Sequence, residues 1–514
     1  MLTRTGSMIS GLIASAGGGV LLSLSFPPCR LDFAAWAAFI PLFRALSHER
    51  HLARAALYGA SFGLAFFLLD VRWVFGTLVM HGQFASITAV VIFAGMVIVL
   101  AMFPAVFALF LAVLNKQGMS PFVFAPFAWV AVEYARATML TGFPWDLIGY
   151  SQTGRPVLVQ VADVTGIYGV SFLIVAVNVA LWHLLNSAIA RQRIPWRIPA
   201  VAAILLAITL GYGYLSLKHF SRTDGPDRSI PIGILQGNIS QDVKWAEAAR
   251  PYTFLIYEKL GQIALKKGAR LLVWPETSVP VLFGGADSDW RNAGMISEKL
   301  GVPMLVGAPS FKRANGRMSF FNSAFLLDGN KVRDRYDKIH LVPFGEYMPL
   351  TWLLPLGPGI AAREADYSAG EIMTVMHVNG CPPFSVLICY EAIFPELSRL
   401  AVNNGARMLV NITNDGWFGR SAAPYQHLAM ARIRSIENRV WLMRAANTGI
   451  SAVVDPAGRI VESIALEDEG TIVAQVPITS EGRTFYTRFG DVFAWSCIGI
   501  LMAAVLSVGR LERR

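Results

Sequence analysis

A bundle of about eight membrane-spanning helices carrying one α/β domain is the fold class that this 514-residue sequence predicts. Three observations predict it. The composition is 54% hydrophobic and only 15% charged, with a mean hydropathy of +0.49. Apolar runs crowd residues 8–216 and return near 489–508. Residues 225–480, between them, have ordinary globular composition and enough length to bury a core of their own. The predicted organisation is seven helices within 1–220, the α/β domain over 225–480, and an eighth helix with a basic tail in 486–514.

The first apolar run, 8–26, resembles a signal peptide in having Arg4 ahead of it. No small-x-small cleavage site follows and further runs come at once, so it reads as a retained span. The others are 32–47, 54–80, 86–114, 120–138, 165–186, 198–216 and 489–508; the second is short, and Pro104 lies inside the fourth. Arg4, Arg50, Arg54, Lys116, Arg191, Arg193, Arg197, Arg510, Arg513 and Arg514 fall in one set of loops, and only Arg30 and Arg155 in the other. That asymmetry puts both termini in the cytoplasm and 225–480 across the membrane, in the periplasm of a bacterium. The net charge of +10 thus reports topology and not nucleic-acid binding. Asp70 and Arg72 interrupt the third span, and Glu133 and Arg136 end the fifth. Charges at such depth face a bundle interior or pair with one another. The loop that follows, Leu140-Thr-Gly-Phe-Pro-Trp-Asp-Leu-Ile-Gly-Tyr-Ser-Gln152, has the aromatic and Gly/Pro content of an interfacial segment.

From Ser229 the pattern changes to alternating strands and helices. Strands are expected at 232–237, 269–274, 302–306, 385–388 and 408–412, and hairpins at 323–335 and 450–464. Helices are expected at 246–266, 286–300, 391–402 and 424–445. Such units build helices around a mixed sheet or two packed sheets.

Three motifs follow strands of this domain. Trp274-Pro-Glu-Thr-Ser278 places Glu276 after one strand, and Tyr336-Asp-Lys338 places Lys338 after another. Phe384-Ser-Val-Leu-Ile-Cys-Tyr-Glu391 places Cys389 at a strand-to-helix elbow, where backbone N–H groups and a helix N-terminus favour thiolate. Strand ends gather on one edge of an α/β sheet, where ligand sites form. Taken singly, Cys389 reads as a small core residue, and Glu276 and Lys338 as surface charges. Taken together they are a base, an oxyanion-stabilising cation and a nucleophile.

The other cysteines are Cys29, Cys381 and Cys497. Their positions suggest neither a metal cluster nor a disulfide framework, although a Cys381–Cys389 bond stays open and would silence the nucleophile. A papain-like pairing of Cys389 with His340 or His427 has less support, since neither histidine stands in such a context.

Together with their contexts, these motifs resemble the Glu-Lys-Cys triad of the nitrilase superfamily. With the N-terminal spans, Leu235-Gln-Gly-Asn-Ile239, the Gly142-Phe-Pro-Trp145 loop and Asn411-Ile-Thr-Asn-Asp-Gly-Trp-Phe-Gly419, the chain is similar to that superfamily's membrane-embedded branch, the apolipoprotein N-acyltransferase family. The resemblance implies an αββα sandwich and the catalytic set Glu276, Lys338 and Cys389. It implies supporting roles for Glu346, as a second glutamate, for Tyr390, whose backbone N–H would meet the oxyanion, and for Glu391. It places Trp245, Trp417 and Phe418 near the cleft as substrate-binding candidates. Implied partners are a phospholipid acyl donor and a diacylated apolipoprotein acceptor, with no metal or soluble cofactor. A monomer is expected, because the spans hinder the association common among soluble nitrilases.

Physical chemistry favours a tethered enzyme for such substrates. A C16 chain buries roughly 15 carbons at about 0.8 kcal/mol each, so drawing it into water costs on the order of 12 kcal/mol. The nucleophile must come to the bilayer, and exposed apolar residues of 341–360 would supply a lid that dips into it. Two other readings remain: a tethered amidase or nitrilase with water as acceptor, and a non-enzymatic docking module.

Overall fold

The computed structural model describes all residues except 1, 48, 81–85, 221–228, 241–243, 286–287, 315–316, 348–365, 479–481 and 512–514. It contains two compact units, one formed by Met1–Gly76, Ala85–His219 and Phe489–Arg514, the other by Thr77–Phe84 and Phe220–Arg488.

The first unit is helical: α1 (Leu2–Ser23), α2 (Ile40–Leu46), α3 (Leu52–Asp70), α4 (Trp73–Met80, shared with the second unit), α5 (Ser86–Lys116), α6 (Pro121–Thr138), the one-turn α7 (Pro156–Val159) and α8 (Ala162–Thr165), α9 (Tyr168–Ala190) and α10 (Arg197–Phe220). Its last helix, Val492–Leu511, comes at the end of the chain. Among the described residues, α3, α5, α9 and α10 are long and apolar enough to cross a membrane. The expected span at 32–47 is not one: a 3₁₀ turn (Asp32–Trp36) leads into α2, which has only seven residues. The expected 54–80 span is broken at Val71 and Arg72 into α3 and α4, as its charges suggested.

Small residues bring the backbones together. A Cβ on Gly19 would stand 2.2 Å from the Phe62 carbonyl, and one on Gly59 2.2 Å from that of Pro104. Only glycine lets α1, α3 and α5 approach so closely. Around this seam, Trp129 meets Phe39 and Phe107 edge-on at 4.6 and 5.1 Å, the preferred geometry of aromatic pairs. By contrast α10 turns Ile204, Ile208 and Leu215 outward. The 140–152 loop starts on the surface at Leu140 and then turns inward: Trp145, Leu147, Ile148 and Tyr150 are buried in the unit.

The second unit is the α/β domain. Its strands are β1 (Ser229–Gln236), β2 (Leu271–Val273), β3 (Met304–Ala314), β4 (Arg317–Asp328), β5 (Lys331–Asp337), β6 (Phe384–Ile388), β7 (Met408–Thr413), β8 (Trp441–Ala446), β9 (Ser451–Val454), β10 (Ile460–Ile464) and β11 (Gly470–Pro477). One sheet has the order β11-β1-β2-β3-β4-β5, the other β10-β9-β8-β7-β6. In each, three neighbouring strands are parallel (β1, β2, β3 and β6, β7, β8) and antiparallel strands complete the sheet. The parallel strands β2, β6 and β7 are buried along their whole length, as their mostly apolar sequences require.

The sheets meet through β1 against β8 and β4 against β6. Between them Gln236 accepts from the Ser451 backbone N–H at 3.1 Å. Helices α11 (Arg250–Lys266) and α12 (Arg291–Leu300) cover the first sheet, with Tyr257 stacked on Trp274 at 4.5 Å. Helices α13 (Pro395–Asn403) and α14 (Ala423–Asn438) cover the second, completing the αββα layering. Short α15 (Phe485–Phe489) precedes the final helix, α16 (Val492–Leu511).

Two expectations need correction. The helix read over 424–445 ends at Asn438, where Arg439 takes a left-handed φ of 52°, and the rest is the buried strand β8. Its Ala- and Arg-rich sequence has helical propensity, but sheet pairing on both edges decides. The helix read over 391–402 is two pieces, a 3₁₀ turn (Cys389–Ile393) and then α13, with Pro395 in its first turn.

Candidate active site

Glu276 follows β2, Lys338 follows β5 and Cys389 follows β6. The first two strands belong to the six-stranded sheet and the third to the five-stranded one, so the site joins the ends of two sheets and not one edge of a single sheet. Neither charged residue is on the surface: Lys338 is 1% exposed and Glu276 6%.

Lys338 Nζ lies 2.9 Å from the Glu346 carboxylate and 3.9 Å from Glu276 Oε1. Asn322, on β4, ties the two carboxylates together: its Nδ2 donates to Glu276 Oε1 at 2.8 Å and to Glu346 Oε1 at 2.7 Å. The backbone N–H of Asn414 donates to Glu276 Oε2 at 2.8 Å, and that of Val342 to Glu346 Oε2 at 2.8 Å. Buried Lys244 donates to the Glu276 carbonyl at 3.2 Å. A Cβ on Gly307 would stand 2.7 Å from Glu276 Cα, so β3 must carry glycine there for the Glu276 turn to fit. Asn322, Lys244 and Gly307 escaped the sequence reading, because each stands in a strand or loop whose sequence only looks structural.

The thiol of Cys389 is buried and feels the charges of both Glu276 and Lys338. Burial pushes it up from the ordinary thiol range; Glu276 adds to that and Lys338 opposes it. The expected bias toward thiolate is therefore overturned: the elbow opens a five-residue 3₁₀ turn instead of a long helix, and desolvation outweighs the ammonium. Burial also raises Glu276, with Lys338 opposing and Glu346 reinforcing. Burial pulls Lys338 down, but Glu346, Glu276 and Cys389 outweigh it, and the ammonium stays charged. Burial thus opposes ionisation of both the thiol and the Glu276 carboxyl, while the flanking carboxylates favour the Lys338 ammonium.

Cys389 has a φ of 51°, a left-handed backbone that only a well-braced non-glycine residue keeps. Glu391 supplies one brace. Its Oε2 accepts from the Ile388 N–H at 2.7 Å, while Oε1 accepts from the N–H groups of Ile339 (2.7 Å) and His340 (3.1 Å) and from Tyr336 Oη (2.7 Å). It thereby staples the nucleophile turn to the Lys338 segment. Burial raises it to about 7, opposed by the Ile388 N–H, by Lys338 and by Tyr336.

The Tyr390 ring packs edge-on against Phe394 at 5.1 Å, and the His340 ring stacks on Phe394 at 3.7 Å. Trp245 and Trp417 are exposed and Phe418 is half-buried, so none of the three fills the core. Cys381 and Cys389 are both free thiols. Most of the 341–360 lid segment lies outside the described residues.

The family model described as the apolipoprotein N-acyltransferase N-terminal domain matches residues 18–180, and the carbon-nitrogen hydrolase model matches residues 232–484. An apolipoprotein N-acyltransferase of Geobacter metallireducens is 40% identical, covering 96% of this chain and 94% of its own. One of Methylococcus capsulatus is 33% identical, covering 98% and 97%. Among solved structures, an amidase from Nesterenkonia sp. has 20% identity and a TM-score of 0.36, over 48% of this chain and 90% of its own.

Proposed function

As a member of the apolipoprotein N-acyltransferase family, the chain is a membrane enzyme that N-acylates lipoproteins with acyl groups from phospholipid, and we propose that it does so through a thioester on Cys389. The observation that carries this reading is the buried pairing of Lys338 with Glu276 and Glu346, in the field of an equally buried thiol.

Cys389 Sγ attacks the ester carbonyl of the donor as its proton passes to Glu276. The oxyanion is met by the Lys338 ammonium and the Tyr390 backbone N–H. The C–O bond breaks, Glu276 returns the proton to the leaving oxygen, and a lysophospholipid departs. The α-amino nitrogen of the diacylglyceryl-cysteine then attacks the thioester and gives its proton through Glu276 to the departing sulfur. Glu346 and Asn322 hold Lys338 and Glu276 in register, and Glu391 holds the turn. Trp245, Trp417 and Phe418 line the acyl entrance, which their partial exposure supports.

The proposed arrangement is that of the sequence: helices within 1–220 and 486–514 in the inner membrane, the 225–480 domain in the periplasm, both termini cytoplasmic. The basic-residue asymmetry supports it. The enzyme works as a monomer without nucleic acid or cofactor. Incubation with phospholipid alone, followed by mass spectrometry, tests the chemistry: an acyl adduct on the Cys389 peptide that disappears on adding apolipoprotein is expected. Free fatty acid released at the same rate with and without acceptor would overturn the transferase order of steps.

A further inference from the structure

Behind the nucleophile lies a second buried cluster that the reaction does not use. His427 on α14, Asp415 after β7, and Arg444 on β8 are all at most 1% exposed. His427 Nε2 stands 3.0 Å from the carbonyl oxygen of Cys389. An Asp–His pair next to a catalytic cysteine would ordinarily read as a relay to sulfur. Here the imidazole meets the backbone of that cysteine.

The ring's tautomer follows from its partners. A carbonyl oxygen only accepts, so Nε2 carries a proton. Burial first, and then the neighbouring Arg444 cation, hold His427 below the usual imidazole range. Nδ1 faces Asp415 Oδ1 at 3.1 Å and the Arg444 guanidinium, through Nη2, at 3.2 Å. That guanidinium is in turn fixed by Asp415 Oδ2 at 2.7 Å. Thr413 Oγ1 donates to Asp415 Oδ1 at 3.0 Å. Arg444 Nη1 also donates to Asn411 Oδ1, which orients that amide so that Nδ2 donates to the Leu387 carbonyl at 2.8 Å and faces the Cys389 carbonyl at 3.5 Å. Two donors thus converge on one carbonyl oxygen.

The peptide joining Cys389 to Tyr390 is a rigid plane, with its C=O and N–H on opposite sides. Pinning the oxygen aims the nitrogen. We propose that His427, set by Arg444 and Asp415, is a positioning residue that holds the Cys389 carbonyl and so directs the Tyr390 N–H at the oxyanion formed during acyl transfer. The inference rests on the thioester reading above. It also accounts for the left-handed φ of Cys389, because a peptide left free to rotate would relax out of that conformation.

The test separates oxyanion chemistry from thiol access in the full-length, detergent-solubilised enzyme. Alkylation of Cys389 by iodoacetamide is a direct displacement that forms no oxyanion, whereas acyl transfer forms one in each half-reaction. In His427→Leu, kcat is expected to fall about 100-fold, as when an oxyanion donor is lost, with KM for phospholipid and the alkylation rate unchanged. His427→Gln, whose amide nitrogen reaches the place of Nε2, is expected to stay within about tenfold of the parent, and His427→Asn, whose shorter amide does not reach, to fall with leucine. The Gln and Asn pair carries the test if the leucine variant fails to fold. Wild-type kcat in His427→Leu, parallel loss of alkylation and kcat, or a glutamine variant no better than asparagine would each overturn the proposal. Failure of the underlying reading shows separately, as acyl transfer by Cys389→Ala.

Discussion

The two units each bury a cluster of charges, and they use it in opposite ways. In the helical unit, Asp70, Glu133, Arg136 and Asp146 are all at most 5% exposed. Arg136 spends its donors on backbone, giving to the carbonyls of Phe143 (3.1 Å), Trp145 (2.7 Å) and Asp146 (3.4 Å). Glu133 Oε1 likewise accepts from the Ile148 N–H at 2.7 Å. These charges mould the 140–152 loop into the bundle and satisfy main-chain groups that hydrocarbon cannot. In the α/β unit, Lys338, Glu276 and Glu346 face one another side chain to side chain, with a buried thiol in their field. The first set holds the shape of a loop; the second, although Glu276 and Glu346 also accept the backbone N–H groups of Asn414 and Val342, can respond when a new charge appears between its members.

The contrast is broken most directly at the nucleophile. Cys389→Ala should bring acyl transfer to background, and Lys338→Ala should lower it by about 10³-fold or more, since an oxyanion partner disappears. Cys389→Ala should still insert and fold, read as unchanged membrane yield and an unchanged size-exclusion profile in detergent. Lys338→Ala leaves Glu276 and Glu346 facing each other without their cation and should lose thermal stability, so its turnover is taken per folded molecule. Full activity in either would end the assignment of roles.

Arg136→Ala should instead act on stability. Removing one partner from a buried charged network costs about 3–5 kcal/mol, so a marked fall in thermal midpoint and yield is expected, with turnover per folded molecule retained. An unchanged midpoint with reduced turnover would place the helical cluster in the reaction and erase the distinction.

The smallest effect sharpens the comparison within the α/β unit, by acid titration. Burial raises Asp415, but Arg444 and then His427 and Thr413 outweigh it and hold the carboxyl at about 2, below its ordinary 3.8. A depressed carboxyl contributes stability that is fully present above the unfolded value and lost as pH falls through the folded one. That contribution, about 2 kcal/mol by linkage, should fade between about pH 4 and pH 2, and Asp415→Asn should lack it. Unfolding midpoints of both proteins across that range check the sign.

Much of this was legible in the sequence, for identifiable reasons. Spans announce themselves because hydrocarbon accepts only long apolar helices, and β6 and β7 because strands buried on both faces read as short, mostly apolar runs. Glu276, Lys338 and Cys389 were visible as chemistry at strand ends. What misled was local. Residues 32–47 have a span's composition but form a turn and a two-turn helix, and 441–446 have a helix's composition but pair into a sheet. Asn322, Lys244 and Gly307 gave no signal, since an asparagine, a lysine or a glycine becomes part of a site only through what lies across from it.

By itself, then, the sequence determined the membrane-borne architecture, the α/β domain and which chemistry-bearing side chains follow its strands, because hydrophobic patterning and side-chain chemistry are properties of the chain. Tertiary structure decided that the site spans two sheets, that burial opposes ionisation of the cysteine sulfur, and that a histidine grips the cysteine's carbonyl instead of its sulfur. Those outcomes depend on desolvation and on distances of about 3 Å between residues far apart in the chain, which no local pattern encodes.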